Sequence, residues 1–325
     1  MTWKERVAAL SDLGLTERQA EFLTTVMLHS GVCMGRQYCA YAGITYGRKM
    51  VDFFRLLLVR GYAIARGCGY QNARLYHVHH RPLYRAIGQE DNRHRKPMAL
   101  PRAVERLMLL DAVLADRERN WLATEQEKVT HFTLRVPVAR HDLPQLIFRS
   151  NESETTRYFP DKLPIAVDHD GRTHVFMYLV TRPEPVDFRA FLERHAELLR
   201  AIPAWSIRLL VPRHLAATES AYRSAFEEQL ASPLRPIVLD ELRWYFRARH
   251  AGPSAADERF HHAVRAFGAP RFGALYRMWL ERGEPVLDAT LSPTLREVID
   301  RGAGSLDWHV LPHRYLHLLP MVGTA

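Results

Sequence analysis

The chain has 325 residues, 47% hydrophobic and 25% charged, which suits a globular protein of about two domains whose core needs no disulfide or metal staple. Forty-five Lys and Arg against 36 Asp and Glu leave a net charge of +9, a balance that favours a polyanionic partner. No apolar run approaches the ~18 residues of a membrane span, the opening stretch lacks the apolar core of a signal peptide, and Cys33, Cys39 and Cys68 are few, odd in number and without metal-ligand spacing, so the expectation is a reduced, cytoplasmic protein with no membrane partner.

Thr16 with Gln19 three residues later reads as a capping box opening a first helix. Phe22, Leu23, Val26 and Met27 give that helix its buried face. Gly31 stops it, and Val32-Cys33 can form a short strand. Met34 to Tyr41 predicts a second helix, ended at Gly43 by a turn with positive φ. A third helix is predicted over about Thr45 to Arg60, with Val51, Phe54, Leu57 and Leu58 inward and Thr45, Tyr46, Arg48, Lys49 and Asp52 on the other side. Gly61–Arg66 and Ala73–Val78 flank a Gly- and Asn-rich turn and read as a hairpin.

That order, helix, short helix, turn, helix, basic hairpin, is the outline of a winged helix-turn-helix, which lays its third helix in the major groove. The first turn of such a helix reaches base edges and phosphates. The expected DNA contacts are Thr45, Tyr46, Arg48 and Lys49 on the helix, with Arg66, Tyr70, Gln71, Asn72 and Arg74 on the wing. His77, His79 and His80 have no neighbouring Cys or carboxylate to complete a metal site and read as surface or hairpin histidines.

Arg81 to Pro101 is rich in Pro, Arg and His without a strong period, and reads as a basic linker with one helical turn at Leu83 to Ile87. An amphipathic helix follows from Pro101 to Asp116, then a second over Thr124 to His131 and a strand-like run from Phe132 to Pro137. Tyr158 to Val167 reads as a strand, Asp168-His169-Asp170-Gly171 as a hairpin turn, and His174 to Val180 as a central strand because it is apolar on both faces. A helix over Asp187 to Ala201 and a strand over Trp205 to Val211 complete the pattern.

This order and the Pro160-Asp161 pair resemble the core of a PD-(D/E)XK nuclease-type fold. Joined to an N-terminal winged helix, it is similar to bacterial mobile-element proteins of the replication-relaxation type, over about residues 16 to 212. Active members of the nuclease family hold a divalent cation between the first Asp and an acidic-x-Lys pair on the next strand, and the metal polarises phosphate and activates water. Asp161 matches the first acid, but no acid and no lysine stands between Val175 and Val180. The resemblance therefore implies a degenerate nuclease-like scaffold without a cofactor. A metal-dependent nuclease would need Mg²⁺ on Asp161 with a migrated acid such as Glu154 or Asp168.

Beyond residue 215 the chain reads as mostly helical, over Ser220–Gln229, Leu239–Arg249, Asp257–Phe267, Phe272–Glu281 and Thr294–Arg301, with an apolar tail from Trp308. No phosphate-loop, dinucleotide, nucleophile-elbow or zinc-protease motif occurs. The expected architecture is α+β, with a DNA-binding domain over 1–80, a basic linker over 81–100, an α/β nuclease-like domain over 101–215 and a helical region over 216–325. The expected function is a DNA-binding regulator or accessory factor of a bacterial mobile element or plasmid. Its partners would be double-stranded DNA, a recombinase or replication protein, and a second copy in a homodimer. A protein-interaction adaptor is the remaining alternative.

Overall fold

The structure, a computed structural model, describes residues 1–68, 73–149, 154–228, 236–252, 257–268, 270–288, 299 and 302–319. It is a mixed α+β protein, with three sheets among the described residues.

The N-terminal third is built on capped helices. Helix α1 (Trp3–Ser11) carries a Thr2–Glu5 capping box and turns Val7 and Leu10 inward. With so few apolar positions its periodicity is weak, and the sequence does not announce it. Helix α2 (Glu17–His29) begins as expected, with the Thr16 N–H donating to Gln19 Oε1 at 3.0 Å. Strand β1 (Val32–Met34) follows, then α3 (Gly35–Ala42), which stops at Gly43 in the left-handed conformation expected there, φ 63°. Helix α4 (Arg48–Val59) and strands β2 (Ala63–Gly67) and β3 (Arg74–Val78) complete a three-stranded antiparallel sheet of order β1-β3-β2.

Two details differ from the sequence reading of α4. It starts at Arg48 rather than Thr45, with Gly47 as its N-cap, so Thr45 and Tyr46 lie on the preceding loop. Its buried stripe is Met50, Phe53, Phe54 and Leu57, while Val51 is exposed. The core takes the i, i+3, i+4, i+7 stripe that begins at Met50, and Val51, about 100° further round the helix, falls outside it.

Residues 81–100 are not a solvated linker. Helix α5 (Arg81–Ala86) buries Leu83 and Tyr84 completely, as is Ile87 after it, in the same core as α2 and α4. The Tyr84 hydroxyl donates to the Val78 carbonyl at 3.2 Å. A single turn at Arg93–Arg95 buries His94 beneath α2, and His77 Nε2 lies 3.0 Å from the His94 carbonyl. His77 is therefore a core residue, not a surface one. A six-residue helix is too short for three apolar residues among arginines to register as a period.

Helix α6 (Leu100–Ala115) joins the two halves. It is buried nearly all round, because Val32, Met34 and Leu75 of the small sheet pack on it from one side and Met177, Leu179 and Leu210 from the other. After it come β4 (Asn120–Leu122) and α7 (Glu125–Thr130), the latter capped by Thr124 with Glu127. The run 132–137 is not a strand: α7 continues into a wide helical turn over His131–Arg135, which buries Phe132 and leaves Leu134 exposed.

A separate hairpin, β5 (Gln145–Arg149) with β6 (Glu154–Tyr158), precedes β7 (Ile165–Val167). The single strand expected over 158–167 is thus broken, by a turn closed by the Lys162 N–H on the Phe159 carbonyl, with Phe159 at φ 49° and Lys162 at φ 57°. The turn at Asp168–Gly171 forms as expected, with Gly171 at φ 70°. Strand β8 (Thr173–Leu179), helix α8 (Val186–Ala201) and strand β9 (Ala204–Val211) follow.

The C-terminal part carries α9 (Glu219–Phe226), α10 (Pro236–Ala251), α11 (Glu258–Ala266) and α12 (Pro270–Arg282), and α10 to α12 close around their own aromatic core. The helix expected over 294–301 falls almost wholly outside the described residues. Gly304–Val310 forms strand β10, although this region reads as helix and tail. It completes a five-stranded sheet of order β10-β9-β8-β7-β4, in which β10, β9 and β8 run parallel and β7 is antiparallel to both its neighbours. The central position of β8 explains its unbroken apolarity: Phe176 and Tyr178 face α8, while Met177 and Leu179 face α6.

Candidate nucleic-acid interface

The core of the N-terminal third fixes what α4 leaves outside. Because Met50, Phe53, Phe54 and Leu57 face in, Arg48, Lys49, Asp52 and Arg55 face out. The Arg48 side chain is 94% exposed, and its Nε stands 3.6 Å from Asp52, which Arg55 shares at 3.2 Å. Three cations on this face thus meet one carboxylate, and such exposed pairs hold their partners only weakly. Thr45 and Tyr46 are exposed on the loop that leads into the helix.

The ribbon reaches the same place. Arg66 pairs in register with Leu75 and Gly67 with Arg74, so the two exposed arginines stand near the end of the hairpin, one on each strand and on opposite faces of it. The Tyr76 hydroxyl lies beside the Arg74 guanidinium and beside Tyr46, and burial raises its pKa. Tyr76 thereby links the loop before α4 to the ribbon. Tyr46 and Arg74 are brought near one another through Tyr76, with Arg48 and Lys49 two and three residues beyond Tyr46, while Arg66 is exposed on the other face of the ribbon. Tyr70, Gln71 and Asn72, the expected tip contacts, lie outside the described residues.

Two acids of the nuclease reading, Asp161 and Asp168, are engaged otherwise. Asp161 accepts from Arg194 Nη2 at 2.6 Å, with Nε at 3.4 Å, so a guanidinium from α8 occupies the carboxylate. Asp168 is ion-paired with Arg119. Glu154 stands at the first position of β6, opposite Arg149. Among the described residues no group of three His, Cys, Asp or Glu is arranged to hold a metal ion. Beside Asp161 lies a small pocket lined by Phe159, Leu163, Phe176 and His195, where burial holds the His195 imidazole down at about 4.

Sequence reasoning passed over one polar centre. Asp111 occupies an apolar-repeat position of α6, yet its carboxylate accepts from both Arg36 Nη atoms at 2.9 and 2.6 Å, from Gln37 Nε2 at 2.8 Å and from the Tyr315 hydroxyl at 2.5 Å. The signal was present as a lone acid in a stripe of leucines. Its partners lie 75 residues before it and 204 after it, beyond any local pattern.

No family profile, curated protein or solved structure matches the chain.

Proposed function

We propose that the chain is a duplex-DNA-binding protein, with residues 1 to 80 acting as a winged helix and the five-stranded body as a nuclease-like scaffold. The observation that carries this reading is the exposure of Arg48 and Lys49 at the first turn of α4, beside a ribbon that presents Arg66 and Arg74. The run α2, β1, α3, α4, β2, β3 with sheet order β1-β3-β2 supports it. In a winged helix the first turn of that helix enters the major groove, where Arg contacts guanine edges bidentately and Lys contacts edges or phosphate.

The order α6, β4, β7, β8, α8, β9 supports the nuclease-like reading of the body. The Arg194 guanidinium on Asp161 favours a scaffold over a metal-dependent enzyme, since a hard cation needs several oxygen ligands and a guanidinium competes for them. A regulatory or accessory role in a mobile element is the function this pairing supports.

Fluorescence anisotropy of a labelled duplex tests the proposal. Each neutralised phosphate contributes about 0.9 to the slope of log affinity against log salt. The double substitution Arg48→Ala and Lys49→Ala is expected to lower that slope by about 1 to 2 and the affinity by about tenfold or more. A wild-type affinity that ignores salt, or a double variant that binds like wild type, defeats the assignment.

A further inference from the structure

The molecule carries a second cationic centre, built without any residue of α4. It forms where the Arg93–Arg95 turn and the start of α6 meet the Phe159–Lys162 turn of the body. The Arg93 guanidinium donates to the Lys162 carbonyl at 2.9 Å, and the buried Lys128 ammonium donates to the next carbonyl, Leu163, at 2.6 Å. Arg102 and Arg106 lie close enough to Arg93 to oppose its charge, and Arg93, Arg102 and Arg157 oppose that of Lys162.

The local carboxylates do not balance this group. Glu105 pairs with Arg102, Glu127 with Arg6 and Asp161 with Arg194, while Glu125, which accepts the Tyr158 N–H, offsets Lys162 and Lys128 in part but not Arg93 or Arg106. Among the described residues Arg93 has the Lys162 carbonyl as its hydrogen-bond partner and no carboxylate, while Arg106 donates to the Ser30 carbonyl and feels only one carboxylate, that of the neighbouring Glu105. Burial and then the two neighbouring arginines pull the ionisation of Arg93 down to about 9, yet a guanidinium remains charged at neutral pH. The first turn of α6 carries Arg102 and no acid, so positive side chains add to the positive end of the helix dipole. Like charges held together and partly desolvated are costly unless a counter-charge enters. Both corners of the facing turn, Phe159 and Lys162, are held at positive φ, a strain that recurs at ligand sites.

We propose that this junction binds a phosphate-type oxyanion, with Arg93, Arg102 and Lys162 as its ligands. The anion neutralises the cluster, and the planar arginine forks suit its tetrahedral oxygens. The site shares no residue with the duplex contacts proposed above. The phosphate is either a free one or a phosphodiester of the nucleic acid.

Thermal unfolding of the full chain decides the matter. Inorganic phosphate at 10 mM, against sodium chloride of equal ionic strength, is expected to raise the melting temperature by about 2 °C or more. Arg93→Gln is expected to lose that rise, whereas Arg48→Ala with Lys49→Ala keeps it. In chloride Arg93→Gln is expected to melt no lower than wild type, because it removes one charge from a like-charged group. Arg102→Gln, on an exposed side chain, gives the same readout should Arg93→Gln not fold. A 12-base-pair duplex is then added to the Arg48→Ala, Lys49→Ala chain. Loss of the phosphate response assigns the site to a nucleic-acid phosphodiester, and an unchanged response assigns it to a free phosphate. No rise in the wild type, or an equal rise in both glutamine variants, overturns the proposal.

Discussion

Asp111 shows how one side chain ties distant parts of the chain together. Its two oxygens satisfy a half-buried arginine, an amide and a phenol at once. Asp111→Ala strands the Arg36 charge and two further donors, and is expected to cost about 3 kcal/mol in urea unfolding. Tyr315→Phe removes only one neutral donor and is expected to cost about 1 kcal/mol. Equal losses from the two variants would contradict the charge argument. A second residue-scale effect comes from buried imidazoles. Burial lowers the pKa of His29, His131 and His195 each to about 4. His131 Nε2 stands 2.9 Å from His174 Nε2, a bond that two neutral rings can make. Each folded value lies below the unfolded one of about 6.5. Between pH 6.5 and 4 the unfolded chain therefore takes up protons that the folded chain does not. The stability is fully present above 6.5 and is lost as the pH falls towards 4. Melting temperatures followed by circular dichroism should be level from pH 8 to 7 and drop steeply below 6.5. A level profile down to pH 4.5 would mean that these rings are not held neutral.

At the scale of elements, the strongest statement concerns the segment 81–100. Its helix α5 and the turn at His94 close the core of the N-terminal third from beneath, and Gly31 is the point of closest approach. Gly31 has φ 75°, and a Cβ there would lie 2.3 Å from the His94 carbonyl oxygen. Gly31→Ala combines a left-handed strain with a backbone clash and is expected to destabilise by about 3 kcal/mol or more. Leu83→Ala opens a cavity at a fully buried site and is expected to cost about 2 to 5 kcal/mol. If both variants unfold like wild type in urea, the segment is a tether and not part of the core.

Across the whole molecule, the sheet depends on the last described strand. β10 pairs in parallel with β9 along all seven of its residues, Gly304 to Val310, and the segment after it brings Leu311, Tyr315 and Leu318 onto α6. Ending the chain at residue 302 would bare the edge of β9 and the apolar flank of α6 together. Such a chain is expected to aggregate during size-exclusion chromatography, whereas the full chain elutes as a defined species. A truncated chain that stays dispersed, with an unchanged melting temperature, would show that β10 adds nothing. The same segment links the two halves, since Tyr315 reaches Asp111 alongside Arg36 of α3.

Local chemistry was enough to read the elements whose stabilisation is local. The Thr16–Gln19 box, the stop at Gly43, the turn at Asp168–Gly171 and the doubly apolar strand at 174–180 are each fixed by residues within a few positions of one another. The exposed cations Arg48 and Lys49 were legible although the buried stripe was placed one position off, because Phe54 and Leu57 alone turn the first turn's charged residues outward. Tertiary structure alone decided the rest. Whether 81–100 is solvated or packed depends on a cavity lined by α2 and β3, and whether Gly304–Val310 is tail or strand depends on the free edge of β9, about a hundred residues earlier. Asp161 carries a pattern that invites a metal, and only the fold brings Arg194 to it. Contacts far apart along the chain leave no period or spacing in it, because the closure that makes them is set by the packing of the whole core.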